Sequence, residues 1–171
     1  EAFDSEYDAF RAWADIYPDN CSLLADTYDV LESGVPNAIK IFNELKAEEH
    51  SNFGIRIDSG DVTKLAEAAR EMMDEAGFPN AKITISNALD ENIIQSLLEQ
   101  GAPIDNFGVG EKMITSSSSP VLSGVHKLSA VVKGDKLIPK IKVSESKGKL
   151  TLPGIKQTYR LIDNKSGKAF A

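Results

Sequence analysis

The chain has 171 residues, 42% of them hydrophobic, and a formal net charge of −7, which suits one domain of ordinary size with a sizeable core. No apolar run approaches the ~20 residues of a membrane span. One cysteine, Cys21, and two histidines, His50 and His126, exclude an internal disulfide, a Cys-rich zinc site and a multi-His metal centre. A lone cysteine fits a reducing cytoplasm.

The first helix is expected in "SEYDAFRAWADIYP", with Ser5 as N-cap, Pro18 as stop, and Tyr7, Phe10, Trp13 or Ala14, and Tyr17 spaced as core. The chain starts on this helix without a Met, so a longer polypeptide is expected to precede it. "CSLLADTYD" reads as a buried parallel strand, because it is a short apolar run without alternation. "GVPNAIKIFNELKAEE" is an amphipathic helix, "FGIRI" a strand, and "DVTKLAEAAREMMDEAG" a helix closed by Gly77. "AKITIS" is a strand, "LDENIIQSLLEQG" a helix closed by Gly101, and "IDNFGVG" a strand that stops at a glycine pair.

This β-α-β-α-β-α-β order predicts an α/β fold with parallel strands and right-handed crossovers. No GxGxxG follows the first strand, so part of an irregular (β/α) TIM-like barrel fits better than a dinucleotide fold; four strands are too few to close one. The pattern changes after "SSSSP" at 116–120. "VHKLSAVV", "PKIKVSE" and "KQTYRLID" look like strands, with turns at Gly134-Asp135, Lys147-Gly148 and Ser166-Gly167. Two regions are therefore expected: 1–120, a partial barrel, and 121–171, a β-rich segment.

Charge follows the same division. Residues 1–111 carry 7 Lys+Arg against 23 Asp+Glu, and 112–171 carry 12 against 3. A basic tail with only Tyr159 and Phe170 as aromatics is a poor nucleic-acid surface. It suits an acidic partner surface or a phosphorylated small molecule instead.

The chemistry concentrates at the carboxyl ends of the four strands, which in α/β sheets and barrels converge on one ligand-binding face. The first end offers Asp26, Thr27 and Asp29. The second offers Arg56, Asp58, Ser59, Gly60 and Asp61. The third offers Ser86, Asn87 and Asp90, and the fourth Gly108, Gly110, Glu111 and Lys112. Carboxylates such as Asp26 and Asp58 can accept from vicinal ribose hydroxyls or hold a Mg²⁺ that neutralises phosphate. Arg56 can fork onto phosphate oxygens, and Gly108 and Gly110 allow backbone N–H groups close to a phosphate. Plainer roles stand beside these. Asp61 and Asp90 can be helix N-caps, Arg56 and Asp58 can pair with each other, and the two glycines can simply turn the chain. His50 lies in a charged loop, Cys21 begins a buried strand, and no Ser-His-Asp set can be assembled.

The runs "LLADTYDVLESGVPNAI", "GIRIDSGDVTKLAEAAREMMDEAG", "ITISNALDE", "IDNFGVGEKMITS", "HKLSAV", "PKIKVSE" and "TLPGIKQTYRLID" together resemble nicotinate phosphoribosyltransferase, a type II phosphoribosyltransferase. They span nearly the whole chain. Glu111 stands where many members have Thr, and His126 where a Tyr is common. The resemblance implies a central-to-C-terminal fragment, with the family's phosphorylatable histidine in an "HSW"-like motif just before Glu1. It implies conversion of nicotinate and phosphoribosyl pyrophosphate to nicotinate mononucleotide and pyrophosphate, coupled to ATP hydrolysis, in NAD synthesis. It implies Arg56 and Asp58 as catalytic residues. Substrate is to be held by Asp26, Ser59, Gly60, Ser86 and Asn87 on the ribose side and by Gly108, Val109 and Gly110 at the 5′-phosphate. It also implies Mg²⁺ bound with the phosphoribosyl donor and a homodimer; a cytoplasmic location, and neither nucleic acid nor membrane as partner, are expected from the lone cysteine, the sparse aromatics of the basic tail and the lack of a long apolar run. The fragment alone is expected to be inactive. A nicotinamide phosphoribosyltransferase fragment and a non-catalytic phosphate- or partner-binding βα module are the alternatives.

Overall fold

The structure is a computed structural model that describes residues 2–116, 124, 126–142 and 150–169. Helix α1 (Glu6–Ile16) begins where the Ser5 hydroxyl accepts from the Asp8 N–H at 3.1 Å, and ends before Pro18. Strand β1 (Cys21–Leu24) follows, then a π-helical turn (Val30–Gly34) that runs into α2 (Val35–Ala47). Next come β2 (Phe53–Ile57), α3 (Val62–Glu75), β3 (Lys82–Ser86), α4 (Glu91–Glu99), β4 (Asn106–Gly108) and the single turn α5 (Glu111–Ile114). Asp61 and Asp90 are N-caps, accepting from the Lys64 and Ile93 N–H groups at 3.4 and 3.0 Å. Gly77 and Gly101 close α3 and α4 at φ +85° and +73°.

The four strands form one parallel sheet in sequential order β1-β2-β3-β4. Sequential order with right-handed crossovers places every connecting helix on the same side. The side chains agree. Cys21, Leu23, Phe53, Ile55, Ile57, Ile83 and Ile85 are buried in one core with Ile41, Phe42, Leu65, Ala69, Met73 and Leu97 from α2, α3 and α4. The opposite face carries Ser22, Leu24, Arg56, Lys82, Thr84, Ser86 and Asn106 and is largely polar. The amino ends of the strands are plugged by Phe42, Phe53 and Phe78, with ring centroids 4.9 to 5.7 Å apart. Arg70 donates to the Ala81 and Phe78 carbonyls at 2.7 and 2.6 Å, which fixes the short loop into β3.

The described residues divide into two compact units, 2–116 with 124 and 150, and 126–142 with 151–169. The second unit contains an antiparallel hairpin, β5 (Ala130–Lys133) and β6 (Lys136–Pro139), closed by Gly134-Asp135 with Gly134 at φ +61°. The expected boundary at 120/121, residues 117–120 of "SSSSP" and the Lys147-Gly148 turn lie outside the described residues.

Three expectations need correction. Tyr17 is not core: it is 48% exposed, its ring tilted 43° against that of the 46% exposed Trp13 at 4.5 Å, and of Trp13 and Ala14 it is Ala14 that is buried. Phe10 and Ala14 define the buried stripe, and Trp13 and Tyr17 lie on its flank. Of the strand expected in "PKIKVSE", residues 143–145 lie outside the described residues; the described strand is Lys136–Pro139, because a two-residue turn requires pairing to resume at Lys136 opposite Lys133. "KQTYRLID" makes only an Ile162–Ala169 bridge. There Asp163 accepts from the Lys165 and Ser166 N–H groups and closes a turn early.

Candidate functional site

The site grows from the last rungs of the ladder. Leu24 pairs with Arg56, Arg56 with Thr84 and Thr84 with Asn106; β2 runs one residue past this row, to Ile57, and β3 and β4 two, to Ser86 and Gly108, so the carboxyl ends are stepped. The Ala25 N–H donates to the Arg56 carbonyl at 2.9 Å, carrying the β1–β2 contact one residue further. The next residues are Asp26 on one side and Asp58-Ser59 on the other.

Both aspartates are engaged by serines of the neighbouring strand end. The Ser59 hydroxyl donates to Asp26 Oδ2, and both residues are buried, at 2% and 5% exposure. The Ser86 hydroxyl donates to Asp58 Oδ1 at 2.6 Å in a half-buried setting. Charged acceptors make such bonds strong and directional. Gly60 turns the chain away at φ +81°, while Asn87 and Ala88 hold φ +111° and +51°. The last two are conformations that L-residues adopt rarely and at a cost.

The β1 end is shaped from behind by the π turn. Asp29 accepts from the Leu31 and Glu32 N–H groups at 3.0 and 2.7 Å. Gly34 packs so tightly that a Cβ there would sit 1.9 Å from the Ala25 carbonyl oxygen. Glu6 of α1 accepts from Ser33 and, at 3.0 Å, from Asn37.

On the open face, Arg56 is exposed and borders a groove of about 410 Å³ lined also by Phe10, Trp13, Ser22, Leu24 and Thr27. At the fourth strand end, Ser86 pairs with Gly108. A Cβ on Gly108 would lie 3.1 Å from the Ser86 Cβ, whereas one on Gly110 meets nothing within 4 Å. Val109 packs partly into the core and Gly110 precedes α5.

The remaining candidates are elsewhere. His50 Nδ1 lies 2.8 Å from Asp19 Oδ1, before β2 and β1 respectively, at the opposite end of the sheet. His126 is exposed in the other unit. Cys21 is buried at the start of β1, and burial pushes its thiol up to about 11, which leaves it inert as a nucleophile.

Asp26, Arg56, Asp58, Ser59, Gly60, Ser86, Asn87, Gly108, Val109 and Gly110 therefore all lie on or just beyond the carboxyl halves of adjacent strands. Sequence reasoning missed the Ser59–Asp26 bond and the groove beside Arg56. Ser59 had a signal. Alternation along β2 puts Ile55 and Ile57 inward and Arg56 outward, and continuing it sends Ser59 inward.

No family model matches the chain. It is 46% identical over 164 residues to the nicotinate phosphoribosyltransferase of Bacillus subtilis (strain 168), covering 95% of this chain and 33% of that protein. Identity is 39% over 165 residues to the Dictyostelium discoideum nicotinate phosphoribosyltransferase, covering 92% of this chain and 27% of that one. It is 33% over 169 residues to the human one, covering 95% and 31%. The crystal structure of human nicotinic acid phosphoribosyltransferase superposes with a TM-score of 0.57 at 29% identity, covering 60% of this chain and 22% of that chain. Over nearly its whole length the chain is similar to nicotinate phosphoribosyltransferases, and it spans about a third of the length of those it matches.

Proposed function

We propose that the chain is the central-to-C-terminal part of a nicotinate phosphoribosyltransferase. The whole protein would join nicotinate to the phosphoribosyl group of phosphoribosyl pyrophosphate, with coupled ATP hydrolysis, in NAD synthesis by salvage. The observation that carries this reading is the pair of serine-held carboxylates, Asp26 and Asp58, beside Arg56 and a glycine loop at one end of a parallel sheet.

In this reaction the pyridine nitrogen forms a bond to the anomeric carbon as the bond to pyrophosphate breaks, and the electron pair leaves with pyrophosphate. Positive charge builds on the ribose in between. Asp58, half-buried and fixed by Ser86, is placed to oppose that charge. Asp26 accepts from ribose hydroxyls. Arg56, exposed on the open face, pairs with phosphate oxygens, and the backbone N–H groups of Gly108, Val109 and Gly110 receive the 5′-phosphate. Gly60, with Ser59, and Asn87, with Ser86, shape the ribose side.

Mg²⁺ fits as a companion of the substrate. Among the described residues no group of three His, Cys, Asp or Glu side chains is arranged to hold a metal. Two serine-held carboxylates suit an ion that keeps its waters and leans on substrate phosphates. Asp26 or Asp58 would hold it, and it would neutralise the departing pyrophosphate.

A (β/α) barrel is the architecture proposed for the whole protein. Sequential strand order, helices on a single side and a polar opposite face support it. No described helix is long and apolar enough to cross a membrane. A homodimer rests on the family resemblance, a cytoplasmic location on the lone cysteine, and the lack of a nucleic-acid partner on the sparse aromatics of the basic tail.

The test is an assay of the full-length protein with nicotinate, phosphoribosyl pyrophosphate, Mg²⁺ and ATP. Nicotinate mononucleotide and pyrophosphate are expected to appear together in equal amounts. No nucleotide product from a folded protein would overturn the reading.

A further inference from the structure

Asp26 and Asp58 are both held by serines, but the two bonds differ in setting. Ser86–Asp58 is half-buried, whereas Ser59–Asp26 is buried on both sides. A serine hydroxyl has one proton to donate. At 2% exposure, with that proton spent on Asp26, Ser59 has neither the access nor the donor to engage a ligand itself.

The bond also joins two strand ends 33 residues apart in sequence, immediately beyond the Ala25–Arg56 contact. The backbone leading into Asp26 has little room to shift, so the orientation of the carboxylate is left to its side-chain partner. Ala25 is fully buried, and Gly34 presses on its carbonyl from the π turn. Gly60, at φ +81°, sets where Ser59 enters. Ser59 holds Oδ2, which leaves Oδ1 for a ligand hydroxyl.

We propose that Ser59 is a positioning residue for the phosphoribosyl donor, acting only through Asp26 by fixing which carboxylate oxygen is presented to the ribose hydroxyls. This rests on the reading of the site as a phosphoribosyl site. Loss of the hydroxyl leaves a buried carboxylate short of a donor and free to turn, so donor binding suffers while the charge-stabilising Asp58 is untouched.

A double-mutant cycle on the full-length protein tests it. Binding of Mg²⁺–phosphoribosyl pyrophosphate is measured by titration calorimetry for wild type, Ser59→Ala, Asp26→Asn and the double variant, with turnover measured alongside. Ser59→Ala is expected to weaken donor binding about 10-fold and to change kcat less than about 3-fold. In the Asp26→Asn background the same change is expected to move the Kd less than about 2-fold. Ser59→Cys fills similar space with a weak donor and is expected to fall between, which keeps the test open should the alanine variant unfold. An unchanged Kd in Ser59→Ala, or a loss that persists undiminished beside Asp26→Asn, overturns the proposal. A wild type that binds the donor but forms no nucleotide overturns the reaction, while the cycle still reports on Ser59. A wild type that does not bind the donor overturns both.

Discussion

Gly108 and Gly110 are two residues apart and meet different surroundings. A side chain at Gly108 would crowd the Ser86 Cβ at 3.1 Å, so substitution there disturbs fold and site together. Gly110 has open space, so a Cβ there meets no neighbouring atom within 4 Å. Gly110→Val in the full-length protein is therefore expected to raise the KM for phosphoribosyl pyrophosphate by about 10-fold or more, as it blocks backbone approach to the phosphate. An unchanged KM removes the loop from the site. At this scale the sequence was informative because acidic and glycine residues mark strand ends by type alone. It was silent where a partner is distant: nothing in the "DSGD" turn reveals that Ser59 bonds Asp26, which requires the β1–β2 register to be known.

Helix and strand positions followed from periodicity and caps, as Ser5, Asp61, Asp90, Gly77 and Gly101 illustrate. The π turn did not, because its shape depends on contacts made from outside it. Gly34 must clear the Ala25 carbonyl, and Glu6 must reach Ser33 and Asn37 from α1. Gly34→Ala is expected to destabilise at the upper end of about 1–3 kcal/mol, since the obstructing atoms are backbone. Glu6→Ala is expected to cost about 1–3 kcal/mol by stranding the Ser33 and Asn37 donors. Denaturant titration checks both, and midpoints within error of wild type would refute the packing account.

The β3–β4 junction adds a pH effect. Asp105 accepts from the Ile83 N–H and from Lys82, each at 2.8 Å. Burial pushes its carboxyl up, but Lys82 and the Ile83 N–H outweigh it, so the group stays below the usual carboxylate range. A lowered folded-state value means that its stabilisation is fully present above the unfolded value of about 3.9 and is lost as pH falls through the folded one. Asp105→Asn is expected to flatten the acid limb of stability below about pH 4. An acid limb identical to wild type would contradict this.

For the molecule as a whole, two features stand out. Among the described residues β1 pairs only with β2 and β4 only with β3, so both sheet edges lack a strand partner, and on the polar open face α1 lines the Arg56 groove through Phe10 and Trp13. Such edges invite pairing with another chain. The isolated 171-residue chain is therefore expected to self-associate with rising concentration in sedimentation velocity, and a monomer with one cooperative unfolding transition would count against that. This scale was the least legible in the sequence. Strand order could be inferred from the βα alternation, but nothing in the edge strands themselves signals what would pair with them.

The central claim is that the strand-end carboxylates serve phosphoribosyl transfer, and Asp58 tests it most directly. Asp58→Asn preserves shape, keeps an acceptor for Ser86 and removes the charge. Turnover and thermal unfolding are measured on one preparation of the full-length protein. The account predicts a kcat lower by about 100-fold or more, equivalent to about 2.7 kcal/mol of transition-state stabilisation, with a much smaller change in donor affinity. Near-normal turnover from a variant that has only lost melting temperature would contradict it.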